Sequence, residues 1–250
     1  MKNNFFNKSV SNIYSKPSNN SEVLSQILYG ENFKILLRRK KWIKIKTNYD
    51  NYIGYIKKDK FLKHFKPIYK ISKIRSRIFL KKSNKFLSTN SCLYYGSGVC
   101  VRKKDKKYIE FEKNKWIKKS DIKNIDHYEK NYIKIFKSFL NTKYSWGGKT
   151  CIGIDCSALI QIYFYYNRIF FPRDTKDQIR YCTKKREKKL NKGDIIFWKG
   201  HVGICINKSN FIHAYGPKKK VILMKTNNAI DRIEKTADLK VKKISSINKY

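Results

Sequence analysis

Cys156 follows Asp155 and precedes an apolar run, Leu159, Ile160, Ile162, Tyr163 and Phe164, so it stands at the predicted start of a helix with Asp155 as N-cap. Downstream, His201 lies in Gly-His-Val-Gly-Ile (200–204) and His213 in Phe-Ile-His-Ala (211–214), both on predicted strands. One thiol followed by two imidazoles is the order of a nucleophile, a base and an orienting group for acyl transfer. The attacking species must be a thiolate, and a free cysteine has a pKa of roughly 8.5. The partial positive charge of a helix N-terminus, with an imidazolium beside it, is expected to bring Cys156 down to roughly 3.5–7.5. Amides of the same first turn can face a developing oxyanion. His201 is the expected base, which later protonates the leaving amine, and His213 the group that fixes its tautomer.

Elements able to position these groups are legible around them. Residues 128–140 carry Tyr132, Ile133, Ile135, Phe136, Phe139 and Leu140 at three- and four-residue spacing, an amphipathic helix. The Gly147-Gly148 loop leads to the Cys156 helix, and Pro172 ends it. Strands are predicted at 195–198, 201–206, 211–214 and 221–225, so helices followed by antiparallel strands give an α+β class. The chain before residue 62 reads as short strands separated by turns, at 23–28, 33–37, 42–47 and 52–56, which suggests a small barrel. Residues 66–125 repeat the style, with strands at 71–80, 91–95, 99–102 and 107–111. Trp116-Ile-Lys-Lys there echoes Tyr55-Ile-Lys-Lys. Three domains are expected: 1–65, 66–125 and 126–250.

The motifs together resemble the NlpC-type family of papain-like cell-wall endopeptidases. The matching elements are Tyr144-x-Trp-Gly-Gly, Gly153-x-Asp-Cys-Ser, Pro172-Arg-Asp-Thr-x-x-Gln, Leu190-x-x-Gly-Asp-Ile-Ile-Phe, Gly200-His-Val-Gly-Ile and His213-Ala, in family order. The resemblance implies helices packed on an antiparallel sheet, with Cys156, His201 and His213 catalytic. It places Tyr144, Trp146, Asp155, Ser157, Arg173, Asp174 and Thr175 along the substrate groove, with Arg173 near the carboxylates of the substrate. Ala158 stands where glycine is common, and Thr175 where serine is frequent. The early strands resemble bacterial SH3-like modules, one or two of which precede such catalytic domains. The implied substrate is a murein stem peptide cut between the side-chain carboxyl of D-glutamate and a diamino acid, commonly diaminopimelate. SH3-like modules that close one end of the groove would favour peptides with a free amino terminus. An acyltransferase or amidase on the same fold, and a basic non-enzymatic SH3-like protein binding cell wall or nucleic acid, are the alternatives.

Composition bounds the remaining readings. The chain holds 59 Lys+Arg against 18 Asp+Glu, a net charge of +41, but only ten of the bases are arginine. Lysines spread over the whole length, with the better base-reading residue scarce, point to a solvated surface, so no nucleic-acid partner is expected. A 41% hydrophobic content excludes wholesale disorder. No stretch approaches about 18 uninterrupted apolar residues, so no membrane span is expected. The first ten residues lack the apolar core of an export signal, which makes the cytoplasm the expected compartment and free thiols the expected state. Cys92, Cys100, Cys182 and Cys205 read as structural, and Cys151 as a weak candidate resolving thiol. His64 and His127 read as surface or core residues. Neither a cofactor nor a metal is expected, since Cys156, His201 and His213 contain no closely spaced zinc-ligand pair.

Overall fold

The computed structural model describes residues 4–187 and 189–250, so residues 1–3 of the expected first domain lie outside it. The chain divides into two compact units, 1–128 and 129–250.

The first unit is built of β-structure. Alternation places the strands: Trp42–Thr47 buries Ile43 and Ile45 and turns Lys44 and Lys46 outward. Its six-stranded antiparallel sheet runs in the order Asn4–Phe5, Asn32–Arg38, Trp42–Thr47, Ile53–Lys57, Val10–Tyr14 and Val23–Leu28. Phe6, Ile13, Ile27, Phe33, Ile43, Ile45 and Ile56 form the core. A second β-body follows, in which Tyr69–Ile71 pairs with Gly98–Val99 and Ile122–Asn124. Beside it, Arg75–Lys82, Lys85–Tyr94, Lys103–Lys104, Tyr108–Glu112 and Lys115–Lys118 make a five-stranded sheet. The strand expected over 71–80 is therefore two strands, broken at Ser72–Ile74 between different sheets. The core here is Ile71, Ile78, Leu93, Val99, Ile109, Phe111 and Ile117, joined by Tyr29 from the first body.

The second unit places the motif-bearing elements around one antiparallel sheet of order Lys220–Lys225, Asn210–Tyr215, His201–Cys205, Asp194–Trp198 and Lys243–Ser246. Helix α1 spans Tyr132–Ser138, shorter than the amphipathic pattern over 128–140, because Asn131 caps it and Asn141 already takes a left-handed φ of 64°. Helix α2, Cys156–Tyr166, is buried all round except at Tyr165, and it contacts His201–Cys205 and Asn210–Tyr215. Two helices were not read from the sequence: α3, Thr175–Tyr181, and α4, Thr226–Ala237. Helix α4 lays Ala229 and Ile233 against Ile196, Trp198, Phe211 and Tyr215, so the sheet is covered on that face. Among the described residues no helix is long and apolar enough to cross a membrane.

Candidate active site

Cys156 occupies the first position of α2, and the turn before it is fixed by ionic and hydrogen-bond partners rather than by apolar packing. Asp155 caps the helix, its Oδ1 accepting from the Ala158 amide at 2.8 Å, while its Oδ2 accepts from the Gly147 amide at 3.0 Å. Arg173 grips both oxygens of the same carboxylate, at 3.0 and 2.6 Å, and donates to Ser157 Oγ at 2.9 Å. Gln178, on α3, donates from its one Nε2 to the carbonyls of Ser157 and Pro172. The loop ahead of the cysteine is closed so tightly that a Cβ on Gly148 would stand 2.4 Å from the Gly153 carbonyl oxygen. With Asp155 holding the Ala158 amide, the amides of Cys156 and Ser157 remain in a first turn that has no intrahelical acceptors.

The histidines come from adjacent strands. Trp198 pairs with His201 across the two-residue turn Lys199-Gly200, where Gly200 takes a φ of 74°. Registers Ile204↔Ile212 and Cys205↔Phe211 carry His201 and His213 on one face of the sheet. Nε2 of His201 lies 2.9 Å from Nδ1 of His213. His213 is fully buried and its ring stacks on Tyr215 at 4.7 Å and 17°. Gly203 makes room for this arrangement, since a Cβ there would meet Phe211 at 2.3 Å and His213 Cβ at 2.8 Å.

The sulfur of Cys156 lies 3.9 Å from the carbonyl oxygen of Gly200, the residue before His201, and 4.0 Å from Thr175 Oγ1. Two expectations are corrected here. The thiol is only 4% exposed rather than open at a groove, and burial, aided by the Asp155 charge, pushes it up to about 11 instead of down. Contacts with the Val202 amide, Thr175 and Arg173 oppose that rise. Burial also pushes His201 down to about 4, and His213 well below its ordinary value. Each group alone is therefore neutral at pH 7. Among the described residues no hydrogen bond joins the Cys156 sulfur to either imidazole.

Arg173 departs from the expected groove as well. It is 2% exposed, and its guanidinium is committed to Asp155 and Ser157, which are themselves buried. These three residues hold the helix start in place. Thr175 is buried against the sulfur, Tyr144 is half-buried, with its phenol pKa raised first by burial and then by the Cys156 and Asp155 charges, and Asp174 is partly exposed. Trp146 is 61% exposed. Tyr215 and Gly203 were not singled out from the sequence, although Tyr215 shares strand parity with His213.

Residues 141–237 match the family model described as NlpC/P60 family. The C-terminal unit carries an NlpC/P60 family peptidase domain. Residues 13–61 match a second model, the bacterial dipeptidyl-peptidase SH3 domain, so the fold is α+β with an SH3-like domain ahead of the NlpC/P60 domain. The chain is 24% identical over 230 residues to dipeptidyl-peptidase 6 of Lysinibacillus sphaericus, covering 82% of this chain and 84% of that protein. It is 32% identical over 103 residues to a gamma-D-glutamyl-L-lysine dipeptidyl-peptidase of Bacillus cereus, covering 38% of this chain and 31% of that protein. The crystal structure of an NlpC/P60 family protein from Bacillus cereus superposes with a TM-score of 0.75 at 18% identity, covering 90% of this chain and 94% of that one. The likeness in fold thus extends over most of both proteins.

Proposed function

We propose that the protein hydrolyses the γ-D-glutamyl–diamino-acid bond of murein-derived stem peptides, with Cys156 as nucleophile, His201 as base and His213 as orienter. The observation that carries this reading is the 2.9 Å contact between the two rings, at the head of a strand whose preceding carbonyl lies 3.9 Å from the Cys156 sulfur. The names of the two relatives, a dipeptidyl-peptidase and a gamma-D-glutamyl-L-lysine dipeptidyl-peptidase, support the bond class.

In this mechanism the thiol proton passes to Nδ1 of His201 as sulfur attacks the γ-carbonyl carbon. The resulting imidazolium donates from Nε2 to Nδ1 of His213, which requires His213 to carry its own proton on Nε2. The oxyanion forms beside the amides of the first turn of α2. Collapse breaks the carbon–nitrogen bond, the leaving amine takes the proton from His201, and water then cleaves the thioester with His201 again as base.

Incubation with L-alanyl-γ-D-glutamyl-diaminopimelate is expected to release diaminopimelate and L-alanyl-D-glutamate, the two products together accounting for one added water. Products carrying a transferred acyl group would favour the acyltransferase reading instead. Acetylation of the L-alanine amine is expected to slow cleavage, and equal rates would remove the free-amine preference. Alkylation of Cys156 by iodoacetamide at pH 7 is expected to fall at least ten-fold in His201→Ala. An unchanged rate would separate the thiol from that imidazole.

A further inference from the structure

His213 is fully buried, yet hydrogen bonding alone does not fix its ring. Nδ1 meets Nε2 of His201 at 2.9 Å, and among the described residues Nε2 of His213 has no hydrogen-bond partner. A contact at one nitrogen leaves the ring plane open, because the last torsion of a histidine side chain has only broad minima. The imidazole of a serine-protease triad, by contrast, is gripped at both nitrogens.

A neighbouring ring supplies the missing constraint. Tyr215 follows His213 by two residues on the strand Asn210–Tyr215, so both side chains leave the same face of the sheet. Its ring lies on His213 with centroids 4.7 Å and planes 17° apart, and it meets His201 at 5.9 Å and 60°. The two imidazoles are inclined to each other at 68°. Turning His213 about its last torsion would drive a ring edge into the phenol face, which close packing resists. Tyr215 is itself held. It is 5% exposed and belongs to the cluster that includes Ala229 and Ile233 of α4. Its hydroxyl lies 3.5 Å from Thr236 Oγ1, the outer limit of a hydrogen bond, so α4 holds the ring more than the hydroxyl.

We propose that Tyr215 is a positioning residue: braced by α4, it sets the plane of His213 and so keeps Nδ1 of His213 aimed at Nε2 of His201. This rests on the reading of His201 as base and His213 as its orienter. In this role the phenol transfers no proton. It holds His201 in the tautomer that leaves Nδ1 of His201 free to accept one.

The test compares Tyr215→Phe, which keeps the ring, with Tyr215→Leu, which fills the site without a flat face. Tyr215→Met is read in its place where the leucine variant does not fold. Two readouts are taken on the full chain at neutral pH: side-chain ¹⁵N–¹H spectra of the histidines, and kcat and KM on L-alanyl-γ-D-glutamyl-diaminopimelate. Wild type and Tyr215→Phe are expected to show His213 as one neutral tautomer, protonated at Nε2, and to differ in kcat by no more than about three-fold. Tyr215→Leu is expected to show averaged His213 nitrogen shifts and to lose about ten- to a hundred-fold in kcat, with KM held within about three-fold. A Tyr215→Leu protein that keeps the wild-type spectrum overturns the proposal, as does a phenylalanine variant that loses as much as the leucine one. An averaged His213 tautomer in the wild type also overturns it. So does failure of both the leucine and methionine variants to fold, since the ring would then serve the fold alone. Should the wild type leave the peptide intact, the peptidase reading fails by itself, and the spectra still decide the part played by Tyr215.

Discussion

At the scale of single residues, the contest around Cys156 is between burial and charge. Asp155 beside the sulfur opposes ionisation, and Arg173 offsets that charge while holding the carboxylate as a helix cap. Arg173→Met leaves a buried carboxylate unpaired and is expected to cost about 3–5 kcal/mol of stability. Urea unfolding measures that loss, and the double variant Arg173→Met/Asp155→Asn is expected to recover a large part of it. The histidines set the response to acid. Both are held below the ordinary imidazole value, so below about pH 6.5 the unfolded chain binds protons that the folded site refuses. Their contribution is complete above pH 6.5 and is lost as pH falls through about 4 for His201. Partial exposure of His201 limits its share to at most about 3 kcal/mol. Urea midpoints between pH 7 and pH 4 are expected to fall in the wild type, and to fall less steeply in His213→Gln. The glutamine carbonyl can still accept from His201, so the same variant is expected to retain more activity than His201→Ala.

At the scale of elements, two glycines on one hairpin do different work. Gly203 gives space: its missing Cβ admits Phe211 and His213. Gly203→Ala forces the strands apart and is expected to cost about 1–3 kcal/mol. It should also lower kcat more than it raises KM, because the displaced group is His213. At Gly200 a Cβ would meet nothing within 4 Å, but the backbone is left-handed. Gly200→Ala is expected to cost about 1–2 kcal/mol, and asparagine less. Paired melts and rate measurements on both variants check the contrast. The sequence disclosed the start of α2, through the Asp155 cap and the apolar run, and the two strands that carry His201 and His213. It did not disclose α3 or α4. Thr175–Tyr181 is seven mostly polar residues. Helix α4 offers only Ala229, Ile230, Ile233 and Ala237 as apolar residues within a polar segment. Nor did it disclose the burial of Arg173, since an arginine reads as solvated until its partner is placed in space.

At the scale of the whole molecule, a net charge of +41 acts on stability and on encounter alike. A compact chain brings like charges closer than an unfolded one, so raising NaCl from 20 to 200 mM is expected to lift Tm by about 2–4 °C for each kcal/mol of repulsion screened. The same salt is expected to lower kcat/KM for a carboxylate-bearing peptide while leaving kcat unchanged, as stopped assays at both salts can show. The two β-bodies carry a different lesson. Tyr29 leaves its own sheet to pack edge-on against Phe65 and Phe111, and the adjoining Gly30 sits so close that a Cβ would fall 2.2 Å from the Gly98 oxygen. A transplant of either barrel into a foreign chain would consequently carry a phenol with nowhere to go or a ring-shaped void. The two bodies are packed as one block, and protein engineers should cut on either side of it and never through the middle.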